Sequence, residues 1–301
     1  MSSEDRDRDA ANPLGAVLRG VRVVSIALNV PGPVAVGRLT TMGGEVTTVL
    51  PPAGDPTQQL PALFEELHEG QRVVTLDLKD AGDRECMDGL LREADLFITA
   101  HRPSALARLG LDEAATRERF PRLCRVDVVG YPGADAEVPG HDLMFQAGHG
   151  LVRPGHLPVT LGADLMAAER VVTAALAVLR ARDGSGAGVR TEVAISEAAR
   201  ALALPLRHGL TAPGGILRGG DVFYGIYPAA EGSVALAALE PQFRERLVRL
   251  LGISADPAVP SEFGPELMAR LRERTAAEWE AWGREHDVPV AAMREATGPA
   301  S

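Results

Sequence analysis

No stretch of this chain is apolar for long enough to cross a bilayer, which takes about 18 consecutive residues, although 46% of its residues are hydrophobic. Cysteine is scarce. Cys86 and Cys124 are the two thiols, and nothing near them has the spacing of a metal site. One falls in a helix-like and one in a strand-like segment, and both read as ordinary buried thiols of a reducing compartment. Aromatic residues make up 4% of the chain and the formal net charge is −10, which argues against general nucleic-acid binding. The glycine motifs that cradle phosphates are missing too. No G-x-G-x-x-G follows the first strand-like segment, and G-x-x-x-x-G-K-[ST] occurs nowhere. The glycine-rich run at 183–188 follows a helical pattern and precedes a strand, the wrong order for a phosphate loop, so it reads as a helix-ending turn. The charged first residues lack the apolar core of a signal peptide, and residues 1–12 read as a disordered tail. These absences point to a soluble, cytoplasmic, globular protein of 301 residues, long enough for two domains.

What is present alternates in type. Strand patterns at 21–26, 45–50, 72–78, 96–98, 123–129 and 189–195 are separated by helical or turn signals, including helices opening at the Pro31 turn, at 83–94 and at 103–109. Such alternation predicts stacked βαβ units and a mostly parallel sheet covered on both faces. A helix is predicted at 196–208 with Ser196 as its cap, and a Gly/Pro-rich loop at 211–220 suggests a domain boundary. The large α/β domain is therefore expected over 13–210 and a smaller α+β domain over 211–285. In the latter, strands at 222–227 and 233–238 precede a helix opened by Glu240-Pro241, with further helices at 266–274 and 275–285.

The stretch at 139–182 carries the chemistry. It opens on Pro139-Gly140-His141-Asp142, a loop, and leads into a helix whose Leu165, Ala168, Val172, Ala175, Leu176 and Leu179 recur at three- and four-residue spacing. Asp164 stands where that helix needs an N-cap. Two readings are open for each residue. Asp164 is a cap or an ionised catalytic carboxylate at the positive end of a helix dipole; His141 is a surface imidazole or a base. An imidazole and a carboxylate on two sides of a cleft are what reversible proton transfer at carbon needs.

The order of short motifs adds a resemblance. Gly20-Val21-Arg22-Val23-Val24 through Pro31-Gly32-Pro33, Leu76-Asp77-Leu78-Lys79, Arg102-Pro103, Leu109-Gly110-Leu111, Gly140-His141-Asp142-Leu143, Ala163-Asp164, Phe223-Tyr224-Gly225 and Leu239-Glu240-Pro241-Gln242-Phe243 follow one another. In this the chain resembles the type III CoA-transferase/racemase family (CaiB/BaiF type), and within it the alpha-methylacyl-CoA racemase branch. The resemblance implies a Rossmann-like large domain, a smaller second domain, an interlocked homodimer and an acyl-CoA or carrier-protein thioester as substrate, with no cofactor beyond CoA itself. It implies that His141 and Asp164 are the two bases and that Glu240 supports the histidine. Arg72, Arg102, Tyr224 and Asp142 are the implied substrate- or CoA-binding positions. His141, where transferases often carry an aromatic residue, tips the expectation to a two-base racemase working through an enolate. The alternatives are a CoA-transferase with Asp164 as nucleophile, or a repurposed member that does not use CoA.

Three features depart from the resemblance. Thr47-Thr48-Val49-Leu50-Pro51 lacks the basic and acidic residues expected where a CoA nucleotide is held, leaving Arg72, Arg102 and Lys79 as phosphate partners. Ala167-Ala168-Glu169-Arg170 replaces the glycines expected after the aspartate. The segment 286–301 is short for a C-terminal return to the first domain. His149 and His156, between the proposed bases, read as structural or surface residues. His101 stands where the family commonly has an aromatic residue.

Overall fold

The computed structural model describes residues 14–294; the expected tail at 1–12 and the end of the expected return segment lie outside the described residues. The chain divides into two compact units, Met1–Ala203 and Leu204–Ser301, so the division falls at 203/204 and the expected 211–220 loop lies inside the second unit.

Six strands form the sheet of the first unit: β1 (Arg22–Ser25), β2 (Glu45–Leu50), β3 (Arg72–Thr75), β4 (Leu96–Thr99), β5 (Cys124–Val129) and β6 (Arg190–Ala194). Every pairing is parallel and the order is β3-β2-β1-β4-β5-β6, so the direction of winding reverses between β1 and β4. Strands β1, β2, β4 and β5 are mostly buried, which their apolar residues reflect, whereas β3, read from its alternation, lies at the sheet edge and is largely exposed. Successive side chains alternate in direction. Val23, Leu96, Ile98, Cys124, Val126 and Val128 therefore enter one core layer, while Val24, Val49 and Phe97 enter the other.

The helices of this unit are α1 (Pro31–Thr41), α2 (Pro61–His68), α3 (Ala81–Glu93), α4 (Pro103–Leu109), α5 (Glu113–Arg119), α6 (Asp142–Gly148), α7 (Gly162–Ser185) and α8 (Ile195–Leu202). The first core layer lies under α1 and α7, and the second under α3 and α4. Helix α7 buries Ala163, Ala167, Ala168, Val171, Val172, Ala175, Val178 and Leu179, a stripe in which alanines admit the sheet and α1 closely. The expected face was partly misplaced: Leu165 is exposed. Gly186, in the left-handed region at φ 75°, ends the helix as the glycine-rich run predicts.

Several expectations need correction. Cys124 is buried but Cys86 is exposed, because α3 turns only Met87 and Leu91 fully inward. Ser196 is not a cap: α8 begins one residue earlier, at Ile195, with Ala194 as its cap residue, and stops at Leu202 before a single turn, α9 (Leu204–Arg207). Helices α2, α5 and α6 were not anticipated. Each is a short turn of chain of seven or eight residues, too brief to display a periodicity.

A buried ionic network ties α5 to the sheet. Arg125 and Asp127 are both on β5 and 4% exposed. The Arg125 Nε donates to Asp127 Oδ1 (2.6 Å), and its Nη1 donates to the Leu111 carbonyl (2.6 Å) and Thr116 Oγ1 (3.1 Å). Arg190 Nε donates to the other Asp127 oxygen at 2.7 Å. Removing one member of such a set strands a buried charge. Asp127→Ala is expected to destabilise the fold by about 3–5 kcal/mol in equilibrium denaturation. A loss below about 1 kcal/mol would show that water or Glu113 and Glu192 take over the pairing.

The second unit holds β7 (Tyr224–Pro228), β8 (Ser233–Ala237) and β9 (Val290–Ala292) in an antiparallel sheet of order β7-β8-β9. With it are α10 (Pro241–Leu251), α11 (Pro260–Leu271) and α12 (Ala276–His286). Its core gathers Phe223, Phe263, Leu267, Trp279 and Trp282. Thr275 and Glu278 close a capping box that starts α12. The 286–301 segment supplies β9, whose residues 290–292 pair with β8 inside this unit.

Candidate active site

Parallel strands place all their carboxyl ends on one edge, and loops leaving that edge at the β1/β4 reversal must diverge, which opens a crevice. A cavity of about 260 Å³ lies there, lined by Leu28 and Asn29 after β1, Ala100, His101 and Arg102 after β4, Val129 and Gly130 at the end of β5, and Ile195 after β6. His141 and Asp164 line this same cavity. The imidazole and the carboxylate, 23 residues apart in sequence (164 − 141), thus meet at one site.

His141 is the residue before α6, in extended backbone at φ −134°, ψ 162°. The approach to it is set by Gly140, where a Cβ would stand 2.5 Å from the ring of Phe145. Only glycine lets the chain lie on that ring, which is itself buried against Tyr131. The His141 ring is exposed and has no hydrogen-bond partner among the described residues.

Asp164 is not the N-cap. Helix α7 starts two residues earlier, at Gly162, which puts Asp164 in its first turn. The cap comes from elsewhere in the chain: buried Asp142 accepts hydrogen bonds on Oδ1 from the backbone amides of Ala163 (2.8 Å) and Asp164 (3.1 Å). Gln146 donates from Nε2 to Asp142 Oδ2 (2.6 Å) and to the Thr160 carbonyl (3.1 Å). The carboxylate next to His141 therefore fastens α6 to the start of α7 and holds the two candidate bases at one cleft. Burial, and secondarily the charge of Asp142, push the Asp164 carboxyl up from an ordinary 3.8 to about 6. These outweigh the opposite pull of the helix N-terminus.

The other expected positions divide. Arg102 lines the cavity beside His101. Lys79 lines a neighbouring cavity of about 160 Å³ together with Leu50, Pro51, Asp77 and His101. Arg72 is not gathered with them. It opens β3, and so lies at the amino ends of the strands, in a surface groove with Arg22, Glu45 and Thr47. Tyr224 opens β7 and Glu240 precedes α10, both in the second unit. The Glu240 carboxylate is exposed and makes no hydrogen bond among the described residues, while its carbonyl starts the helix. Sequence reasoning missed the cap role of Asp142 and gave His101 no function. The first has no local signal, since Asp142 and the amides that it caps are about 21 residues apart.

Fold and site together define an open α/β protein with an imidazole and a carboxylate facing a cleft at the topological switch point. The chain belongs to CoA-transferase family III, whose model matches residues 18–299. It is 30% identical over 292 residues to alpha-methylacyl-CoA racemase of Mus musculus, covering 87% of this chain and 74% of that protein. It is also 29% identical over 269 residues to succinate--glutarate CoA-transferase of Agrobacterium fabrum, covering 79% of this chain and 67% of that one. Among solved structures, Rv3272 of Mycobacterium tuberculosis superposes with a TM-score of 0.80 at 25% identity, over 92% of this chain and 83% of the other. No described helix is long and apolar enough to cross a membrane.

Proposed function

We propose that this protein is a racemase or epimerase acting at the α-carbon of an acyl thioester, by two-base proton transfer. The observation that carries the reading is that His141 and Asp164 line one cavity at the carboxyl edge of the sheet. One base takes the α-hydrogen as a proton, and the electron pair of the broken C–H bond passes to the thioester oxygen as an enolate. The other base returns a proton to the opposite face, and both groups are reset by exchange with solvent. The enolate oxygen needs a donor. The amides of Ala163 and Asp164 are occupied by Asp142, so we assign the amide of Asp142, which has no acceptor among the described residues. The substrate is an acyl-CoA or a carrier-protein thioester. The protein is proposed to work as a homodimer in the cytoplasm, its exposed Leu157 and Val159 ahead of α7 being suited to a covering copy.

The test is deuterium wash-in at the α-carbon of 2-methylacyl-CoA in deuterium oxide. It is expected in the wild type and reduced about 10²–10⁴-fold in His141→Ala. Wash-in that survives both His141→Ala and Asp164→Ala would overturn the reading.

A second reading, CoA transfer, is supported by Asp164 being largely ionised at pH 7 and by the transferase relative. There the carboxylate displaces CoA thiolate to form a mixed anhydride; the thiolate attacks the aspartyl carbonyl, which releases the donor carboxylate and leaves an aspartyl-CoA thioester, and an acceptor carboxylate takes up CoA by the reverse of these steps. Hydroxylamine capture of Asp164 would select it over racemisation.

A further inference from the structure

Among the described residues, His101 is the one side chain shared by the cavity of His141 and Asp164 and the neighbouring cavity of Lys79 and Pro51. It follows β4 and is held by Thr99, whose side chain is fully buried. The His101 amide donates to Thr99 Oγ1 at 3.2 Å, and the same oxygen lies 3.4 Å from His101 Nδ1. Thr99 Oγ1 already accepts one hydrogen bond, and we assign its own proton to Nδ1, an assignment that makes Nδ1 the acceptor and leaves the ring hydrogen on Nε2. Among the described residues that Nε2–H has no acceptor. Burial lowers the pKa of the ring, so it remains neutral near pH 7 with this single donor. Leu28, Ala100, Val128, Val129, Val138 and Ile195 supply the apolar part of the lining, beside the polar Asn29, Arg102, His141 and Asp164. A ligand that desolvates this donor without pairing it is penalised, so the donor discriminates for a ligand that accepts from it.

We propose that His101 is a specificity-determining residue that selects thioesters whose acyl group carries a hydrogen-bond acceptor, such as a keto oxygen, a few bonds beyond the α-carbon. The inference rests on the acyl-thioester reading above, and names the acyl class. A cavity of about 260 Å³ fits a short acyl group, since full drug-sized ligands occupy about 300–1,000 Å³.

The experiment compares 2-methyl-4-oxopentanoyl-CoA with its near-isostere 2,4-dimethylpentanoyl-CoA, by calorimetric binding and by deuterium wash-in. The wild type is expected to bind the keto thioester at least about tenfold more tightly. His101→Phe should erase or reverse the preference, and His101→Gln, which keeps an N–H donor, should restore part of it. Equal binding of the two thioesters by the wild type would overturn the inference, and so would a loss in His101→Phe that is the same for both. Because binding is read without turnover, binding with no wash-in removes the racemase reading and leaves this one standing. Failure of both thioesters to bind removes both.

Discussion

Asp164→Asn is expected to lose activity and gain stability together. As a base the carboxylate has no substitute in an amide, so α-hydrogen exchange should fall about 10²–10⁴-fold. Stability moves the other way. The folded-state pKa of Asp164 is raised from 3.8 to about 6, so folding favours its protonated form. That contribution is complete below about pH 3.8 and is lost as the pH rises through about 6. The displacement corresponds to at most about 3 kcal/mol, and to roughly 1–2 kcal/mol once solvent screening of the half-buried carboxyl is allowed for. Asparagine imitates the neutral acid at every pH, so the variant should be more stable than the wild type by roughly that amount at pH 8, and no more stable at pH 3.5. Denaturant unfolding at both pH values checks this. A residue that served only the helix N-terminus would instead lose stability at pH 8 on becoming asparagine, because in the first turn the helix dipole favours the ionised carboxylate. Equal stabilities at pH 8 would overturn the electrostatic account of the site.

Asp142→Asn is expected to move the pH dependence without removing the geometry. The asparagine oxygen still accepts from the amides of Ala163 and Asp164, and Gln146 can turn its amide to meet the new NH₂, giving up its bond to the Thr160 carbonyl. What disappears is a negative charge beside Asp164. Exchange of the hydrogen facing Asp164 should rise with pH through about 6 in the wild type and level off above it, because the base is the ionised form. In the variant the midpoint falls, since like-charge repulsion is gone, yet stays above the ordinary carboxylate value because burial is the larger cause. The other ionisable groups lining the cavity, His101, Arg102 and His141, are unchanged. Asp142→Ala differs: it strands two buried amides, with an expected loss of about 1–3 kcal/mol and reduced exchange at every pH. An unchanged midpoint in Asp142→Asn would show that the two carboxylates do not sense each other.

The site was legible in part, and unevenly. His141 and Asp164 could be singled out as an imidazole and an acid flanking a helix start, and the cavity unites them. Arg72 could not be placed, because its position depends on which end of β3 faces the site. The N-cap assignment of Asp164 failed for a related reason. A capping residue is normally sought just before the helix, but here α6 delivers the acceptor from Asp142, and the helix starts earlier than its local pattern suggests. Cys86 was misread because an apolar helical pattern does not say how wide the buried stripe is; α3 buries Met87 and Leu91, and the position just before Met87 faces water.

The amino-acid sequence by itself determined that the first unit is an α/β layer structure, since doubly buried strands demand continuous apolar runs and those runs are local. It also determined the helix-ending turn at Gly186 and the capping box at Thr275, which depend on near neighbours in the chain. Tertiary structure alone decided the strand order β3-β2-β1-β4-β5-β6, and with it the reversal between β1 and β4 where the cavity lies. It alone decided that Asp142 holds the helix of Asp164, that burial lifts the Asp164 pKa to about 6, and that His101 stands between two cavities. Each of these is a relation between segments that are distant along the chain, and its energy exists only once the sheet has brought them together.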